Sequence, residues 1–240
     1  MISLNEIGKK YGKKTVLDGI TFNINKGENI AIIGANGSGK STLIEIICGI
    51  QKQSSGSIEY TDEISKVVGI QFQEGNWPPK TRAIDLIKFF KGRNWKKDEY
   101  VNDIFNIFEI SEILKIDINK LSLGQRQRLN CFIAIIDNPT FIVIDELITG
   151  LDLKVHLKLI KYFEKIKNKT DKTLLIVSHI PDEIEVLCDR IIVLKDGKLC
   201  DDITLKEVFR TKKSIKNYLE SYFGEDIEEV IANDKVEKNI

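Results

Sequence analysis

The segment Gly34-Ala35-Asn36-Gly37-Ser38-Gly39-Lys40-Ser41-Thr42 packs three glycines, a lysine and three hydroxyl side chains into one short stretch. Glycines at 34, 37 and 39 let a backbone curl tightly enough for successive N–H groups to point inward around phosphate oxygens. Within such a loop Asn36 and Ser38 border the phosphate, and Lys40 reaches the β- and γ-phosphates. Ser41 offers a hydroxyl to Mg²⁺, and Thr42 caps the following helix or meets the α-phosphate. The chemistry implied is nucleotide binding.

Such a loop works only between a strand and a helix. Ile30-Ala31-Ile32-Ile33 is an uncharged, β-branched run suited to a buried parallel strand, and Leu43-Ile44-Glu45-Ile46-Ile47 continues beyond the loop as a helix. The helix N-terminus adds unsatisfied amides and partial positive charge. A second apolar strand, Phe141–Ile144, ends on Asp145 and Glu146. Both carboxylates then lie at the carboxyl edge of a sheet, where open α/β folds bind ligands. Asp145 is predicted to hold Mg²⁺ and Glu146 to orient or deprotonate the attacking water. His179 follows a third apolar strand, Thr173–Val177, which places an imidazole beside the γ-phosphate and Glu146. The other histidine, His156, lies in the Lys-rich stretch 153–158 and is expected on a helix surface.

Residues 2–30 alternate as strands do, with Ile2, Leu4 and Ile7 and then Ile20, Phe22 and Ile24 on one face, predicting a small antiparallel sheet. Further strands are expected at 56–60, 67–70 and 191–194. Glu74-Gly75-Asn76-Trp77-Pro78-Pro79 is a strong break, and helical spacing of Ile84, Ile87 and Phe90 and of Ile104, Phe105 and Phe108 predicts a mostly helical insertion between about 82 and 136. Strands separated by helices imply a parallel sheet. Short helices are expected near 205–209 and 218–220, and residues 225–240 form a charged tail.

Lysine plus arginine and aspartate plus glutamate are both 36, so no global basic field attracts nucleic acid, and none is expected as a partner. Cys48, Cys131, Cys188 and Cys200 are scattered without a C-x-x-C pair, which predicts core or surface thiols in a reducing cytosol. No apolar run approaches the roughly 20 residues needed to cross a bilayer, and Met1–Glu6 lacks the charged-then-apolar plan of a signal peptide.

With Leu121-Ser122-Leu123-Gly124-Gln125 added, the sequence resembles the nucleotide-binding subunit of an ATP-binding cassette (ABC) transporter. The resemblance covers most of the chain. The family's motifs follow in order: Tyr11 before the phosphate loop, Gln73 in Gly69–Glu74, the signature at 121–125, Asp145-Glu146, the loop Thr149-Gly150-Leu151-Asp152, and His179. The fold implied is α/β: a P-loop NTPase core with a parallel sheet, an N-terminal antiparallel β subdomain and an inserted α-helical subdomain. One ABC ATPase domain is expected over 1–224, with the helical subdomain at about 74–136.

By that resemblance Tyr11 stacks on adenine, for which an aromatic face suffices. Gln73, preferred over Gln71 because it falls at the strand-to-loop junction, meets Mg²⁺ or the attacking water and reports on a transmembrane partner. Ser122 and Gly124, opening a helix with free N–H groups, and Gln125 bind the γ-phosphate of ATP held by a second subunit. Asp152 passes information across that interface. The resemblance thus implies ATP and Mg²⁺, a second ABC ATPase subunit in a homo- or heterodimer, and transmembrane permease subunits, with the chain peripheral on the cytoplasmic face. A groove near Gln73 to Trp77 is expected to receive a short permease helix.

Two departures from the family pattern stand in the sequence. Leu123 stands where a second glycine is usual, and Leu147-Ile148 replaces Pro-Thr. The phrase at 69–74 and the non-glycine at 123 look like exporters of drugs, peptides or polysaccharides, with an importer subunit as the alternative. A soluble ABC ATPase of DNA repair or ribosomes is the reading from a different class. The two-cassette or coiled-coil forms of those relatives do not fit 240 residues. A small-molecule kinase would leave the signature and His179 without a role.

Overall fold

The computed structural model describes residues 1–61, 68–71, 78–145, 153–169 and 172–224. Strands β1 (Ile2–Tyr11), β2 (Lys14–Ile24) and β4 (Ser55–Tyr60) form an antiparallel sheet in the order β2-β1-β4. The larger sheet runs β5-β6-β7-β3-β8-β9, built from β3 (Asn29–Ile33), β5 (Val68–Gln71), β6 (Phe141–Asp145), β7 (Thr173–Val177), β8 (Arg190–Lys195) and β9 (Lys198–Thr204). Its first five strands are parallel, and β9 returns antiparallel to β8.

Successive side chains on a strand face opposite ways, and here both faces are apolar because both are covered. Ala31 and Ile33, Ile142 and Ile144, Leu174 and Ile176, and Ile191 and Val193 enter one core. Their alternates Ile30 and Ile32, Phe141 and Val143, Leu175 and Val177, and Ile192 and Leu194 enter the other. The second core also takes Leu43, Ile44, Ile46 and Ile47 of α1 (Lys40–Ile47) and the inward residues of the antiparallel sheet, including Ile2, Leu4, Ile20 and Phe22. The helix behind the phosphate loop is therefore gripped by two sheets. Each fully buried aliphatic side chain there contributes about 1.5–3 kcal/mol.

The first core joins the sheet to the predicted helical insertion: α2 (Ala83–Lys91), α3 (Glu99–Ile107) and α4 (Leu123–Ile135), linked by short 3₁₀ turns. Trp95, Phe105, Phe108 and Phe132 form its aromatic centre, with rings 5.2 to 6.5 Å apart. Helices α5 (Leu153–Lys169), α6 (Pro181–Leu187) and α7 (Leu205–Lys212) cover the same face. A last helix, α8, is described over residues 215–224. It is held by Tyr218 and Tyr222, whose hydroxyls both donate to Asp201 Oδ2, at 2.9 and 2.8 Å. No helix among the described residues is long and apolar enough to cross a membrane.

The two predicted sheets and the helical insertion are all present. Two pairings go beyond the sequence pattern. The strand at 55–60 belongs to the N-terminal sheet, in register Leu4 with Ile58, and the edge strand β9 had no sequence counterpart.

Candidate nucleotide site

Parallel strands β6, β7 and β3 end at one edge, and the candidate residues collect there. The loop 34–39 leaves β3 and enters α1, with Ala35, Asn36 and Gly37 as its exposed crest and Ser38 and Gly39 buried beneath. Gly39 is the N-cap of α1 at φ 102°, a left-handed conformation that a side chain opposes. A Cβ there would also stand 2.7 Å from Leu17 Cδ2. At Gly34 a Cβ would stand 2.4 Å from the Leu194 carbonyl oxygen and 2.5 Å from Ser38 Oγ. Ser38 Oγ is buried without a hydrogen-bond partner. Lys40 Nζ donates to the carbonyl oxygens of Gly34 and Ala35, at 2.7 and 3.0 Å, so its ammonium lies over the loop. An orphaned hydroxyl, a cradle that a methyl would fill and a cation at its mouth suit a phosphate chain.

Ser41 is exposed in the first turn of α1 and Thr42 is half-buried one residue on. Thr42 is not the helix cap, because the chain enters α1 through Gly39 with no side-chain cap. Asp145, 8% exposed, is the last residue of β6 and pairs in register with Val177, the last of β7. Because β7 lies between β6 and β3, His179, two residues beyond Val177 and exposed, falls between the Asp145 strand and the phosphate-loop strand. Its turn is framed from below. Buried Ser178 donates from Oγ to buried Glu183 and accepts from Ile180 N at 3.1 Å. Gln73, Trp77, Glu146, Leu147, Ile148 and Asp152 lie outside the described residues.

Tyr11 ends β1 opposite Lys14, in the hairpin whose Val16 and Leu17 touch Gly39. Its ring is half exposed, its hydroxyl donates to Gln51 Oε1 at 2.7 Å, and Lys9 Nζ stands 5.1 Å from the ring centroid. The contact of Val16 and Leu17 with the loop carried no motif. Gln71, the last residue of β5, is 1% exposed and hydrogen-bonded to Gln127, which removes it as a ligand group.

Ser122 is the N-cap of α4, and with Gln125 it closes a reciprocal capping box. Ser122 Oγ accepts from Gln125 N at 3.2 Å, and Ser122 N donates to Gln125 Oε1 at 3.1 Å. The expectation of free N–H groups is thereby corrected for Ser122, whose amide is occupied. Leu123 is 55% exposed beside buried Gly124. His156 is half-buried on α5 rather than on an open surface, and burial lowers its pKa below the ordinary imidazole value.

A family model described as ABC transporter matches residues 17–149, more than half of the chain. The chain belongs to the ABC transporter family. The lantibiotic transport ATP-binding protein SrtF of Streptococcus pyogenes is 31% identical over 204 residues, 83% of this chain and 89% of that protein. The zinc import ATP-binding protein ZnuC of Wolbachia is 29% identical over 218 residues, 87% of this chain and 89% of that one. A dimeric structure of a bacterial ABC transporter cassette superposes with a TM-score of 0.75 at 28% identity, covering 85% of this chain and 99% of the other. The ABC cassette fold, a P-loop NTPase fold, accounts for the order of elements around the loop at 34–39.

Proposed function

We propose that this chain is the ATP-binding and ATP-hydrolysing subunit that powers a separate transmembrane exporter through ATP-driven dimerisation. The observation that carries the reading is the phosphate cradle, with Ser38 Oγ orphaned inside it and Lys40 Nζ over its carbonyls. Amides of residues 36–42 bind the phosphates, Lys40 neutralises them, and Tyr11 stacks on the base. Ser41, Asp145 and Gln73 are the groups that would hold Mg²⁺, which when bound offsets charge on the phosphate oxygens. Glu146 orients and deprotonates the attacking water, and His179 contacts the γ-phosphate.

Ser122, Gly124 and Gln125 serve the nucleotide of a second subunit, and Asp152 lies along that interface. Residues 1–224 act as one ATPase domain with the helical subdomain inserted at about 74–136, and 225–240 as a charged tail. The protein works on the cytoplasmic face of a membrane, against permease subunits.

Export is supported by the exporter-like phrase at 69–74, by Leu123 in the signature and by the lantibiotic transport relative. Import is the second reading, favoured by the zinc import relative at nearly equal identity. The test is purification of tagged Glu146→Gln protein with ATP from native membranes in mild detergent, with mass spectrometry of what remains bound. A multi-helix permease alone is expected. A co-purifying solute-binding protein would favour import, and ribosomes or DNA-repair factors without a permease would overturn the transporter reading.

A further inference from the structure

Glu109 has a left-handed backbone, φ 48° and ψ 41°, at the N-cap of the 3₁₀ turn Ile110–Glu112. A non-glycine residue held there costs free energy that its surroundings must offset, so the side chain is the place to look. That side chain is 19% exposed and faces three cations. Oε2 accepts from Arg128 Nη1 at 3.4 Å, Oε1 accepts from Lys158 Nζ, and Lys154 Nζ stands 3.9 Å from Oε1. Arg128, itself 5% exposed, also reaches Glu112 Oε2 at 3.1 Å through Nη2. The Lys158 hydrogen bond, aided by the charges of Lys154 and Arg128, holds the Glu109 carboxyl below the ordinary carboxylate range.

The three cations belong to two helices. Arg128 lies on α4, under two turns beyond Ser122, while Lys154 and Lys158 lie one turn apart in the first half of α5, which directly follows residues 146–152. We propose that Glu109 is a positioning residue that clamps the helix headed by Ser122 to the helix continuing from Glu146 and Asp152. One carboxylate then sets the orientation of the helical subdomain against α5. The proposal rests on the ATPase reading above for its consequence in turnover, but the clamp itself is measurable without nucleotide.

Glu109→Gly is the informative variant, because it removes the carboxylate and relieves the backbone at once. Glu109→Gln removes only the charge. In nucleotide-free protein both are expected to raise amide hydrogen exchange over residues 122–130 and 153–160 roughly tenfold, the usual effect of losing one charge-assisted hydrogen bond. The melting temperature of Glu109→Gly should stay near wild type. With ATP and Mg²⁺, kcat should fall roughly fivefold or more while half-saturating ATP is unchanged, the pattern of lost positioning rather than lost binding. Glu109→Lys combined with Lys158→Glu should recover part of what Glu109→Lys alone loses.

Wild-type exchange in both helices of Glu109→Gly and Glu109→Gln would overturn the proposal, as would parallel loss of stability and turnover in Glu109→Gly. If wild-type protein binds no ATP, the ATPase reading fails, and the nucleotide-free exchange still decides the clamp.

Discussion

Gln71 Nε2 donates a 2.7 Å hydrogen bond to Gln127 Oε1 inside the fold, tying the edge strand β5 to the middle of α4. Both residues are at most 2% exposed. The polar pair thus connects the sheet to the helix that begins at Ser122.

Truncating one partner strands the other amide in a dry site, which costs about 1–3 kcal/mol. Gln71→Ala and Gln127→Ala are each expected to lower unfolding stability by that order. Gln71→Leu with Gln127→Leu should cost less than the two alanine changes summed, because no polar group is then left buried alone. Urea unfolding of the four proteins checks this.

Lys40→Ala removes an ammonium that donates to the carbonyl oxygens of Gly34 and Ala35. ATP affinity is expected to fall roughly ten- to a hundredfold, the worth of one or two charge-assisted contacts. The melting temperature should change little. Titration with a fluorescent ATP analogue beside a thermal melt tests both halves, and unchanged affinity would remove Lys40 from the site.

Asp201 accepts from both Tyr218 and Tyr222, and Tyr218 is 2% exposed. Burial, with the Asp201 carboxylate beside them, raises both tyrosine pKa values. Asp201→Ala leaves the two hydroxyls without that acceptor, so α8 should open locally at a cost of about 1–3 kcal/mol. Limited trypsin digestion at Lys212, Lys213 and Lys216 should accelerate while the remainder of the domain stays resistant.

Burial pushes the Cys48 and Cys131 thiols from 9.0 to about 12, with the Glu45 charge adding to the effect at Cys48. The folded state therefore keeps protons that the unfolded chain releases. Stability is full below about pH 9 and falls as pH rises toward 12, by about 1.4 kcal/mol per pH unit for each thiol. Denaturant midpoints measured from pH 8 to pH 11 should decline, and Cys131→Ala should flatten part of that slope. Exposed Cys200 is the thiol expected to react fast with a disulfide reagent in native protein.

The core of the fold is plain from residue types because the parallel strands are covered on both faces. Runs such as Phe141–Ile144 and Ile191–Leu194 leave no polar position, and few other structures tolerate that. The strand β9 escaped because its sequence, Lys198–Thr204, alternates half-buried with exposed residues and is defined by pairing to β8 alone. The phosphate loop is legible because its glycines, lysine and hydroxyls must be adjacent. The Glu109 cluster has no such local signature. Arg128 and Lys158 lie 19 and 49 residues from Glu109 and meet it only after α4 and α5 have packed against its turn. Gln73, Glu146 and Asp152, read equally from motif order, fall outside the described residues.

The capping box at the head of α4 makes Gln125 an internal rival for its own neighbour. Its carboxamide oxygen already occupies the Ser122 amide at 3.1 Å, held close by the covalent chain at high effective concentration. An outside oxygen seeking that amide enters by exchange rather than by filling an open seat, and only a stronger acceptor displaces it. The head of this helix therefore discriminates by acceptor strength: a neutral carbonyl gains nothing over Gln125, whereas a doubly charged oxyanion does.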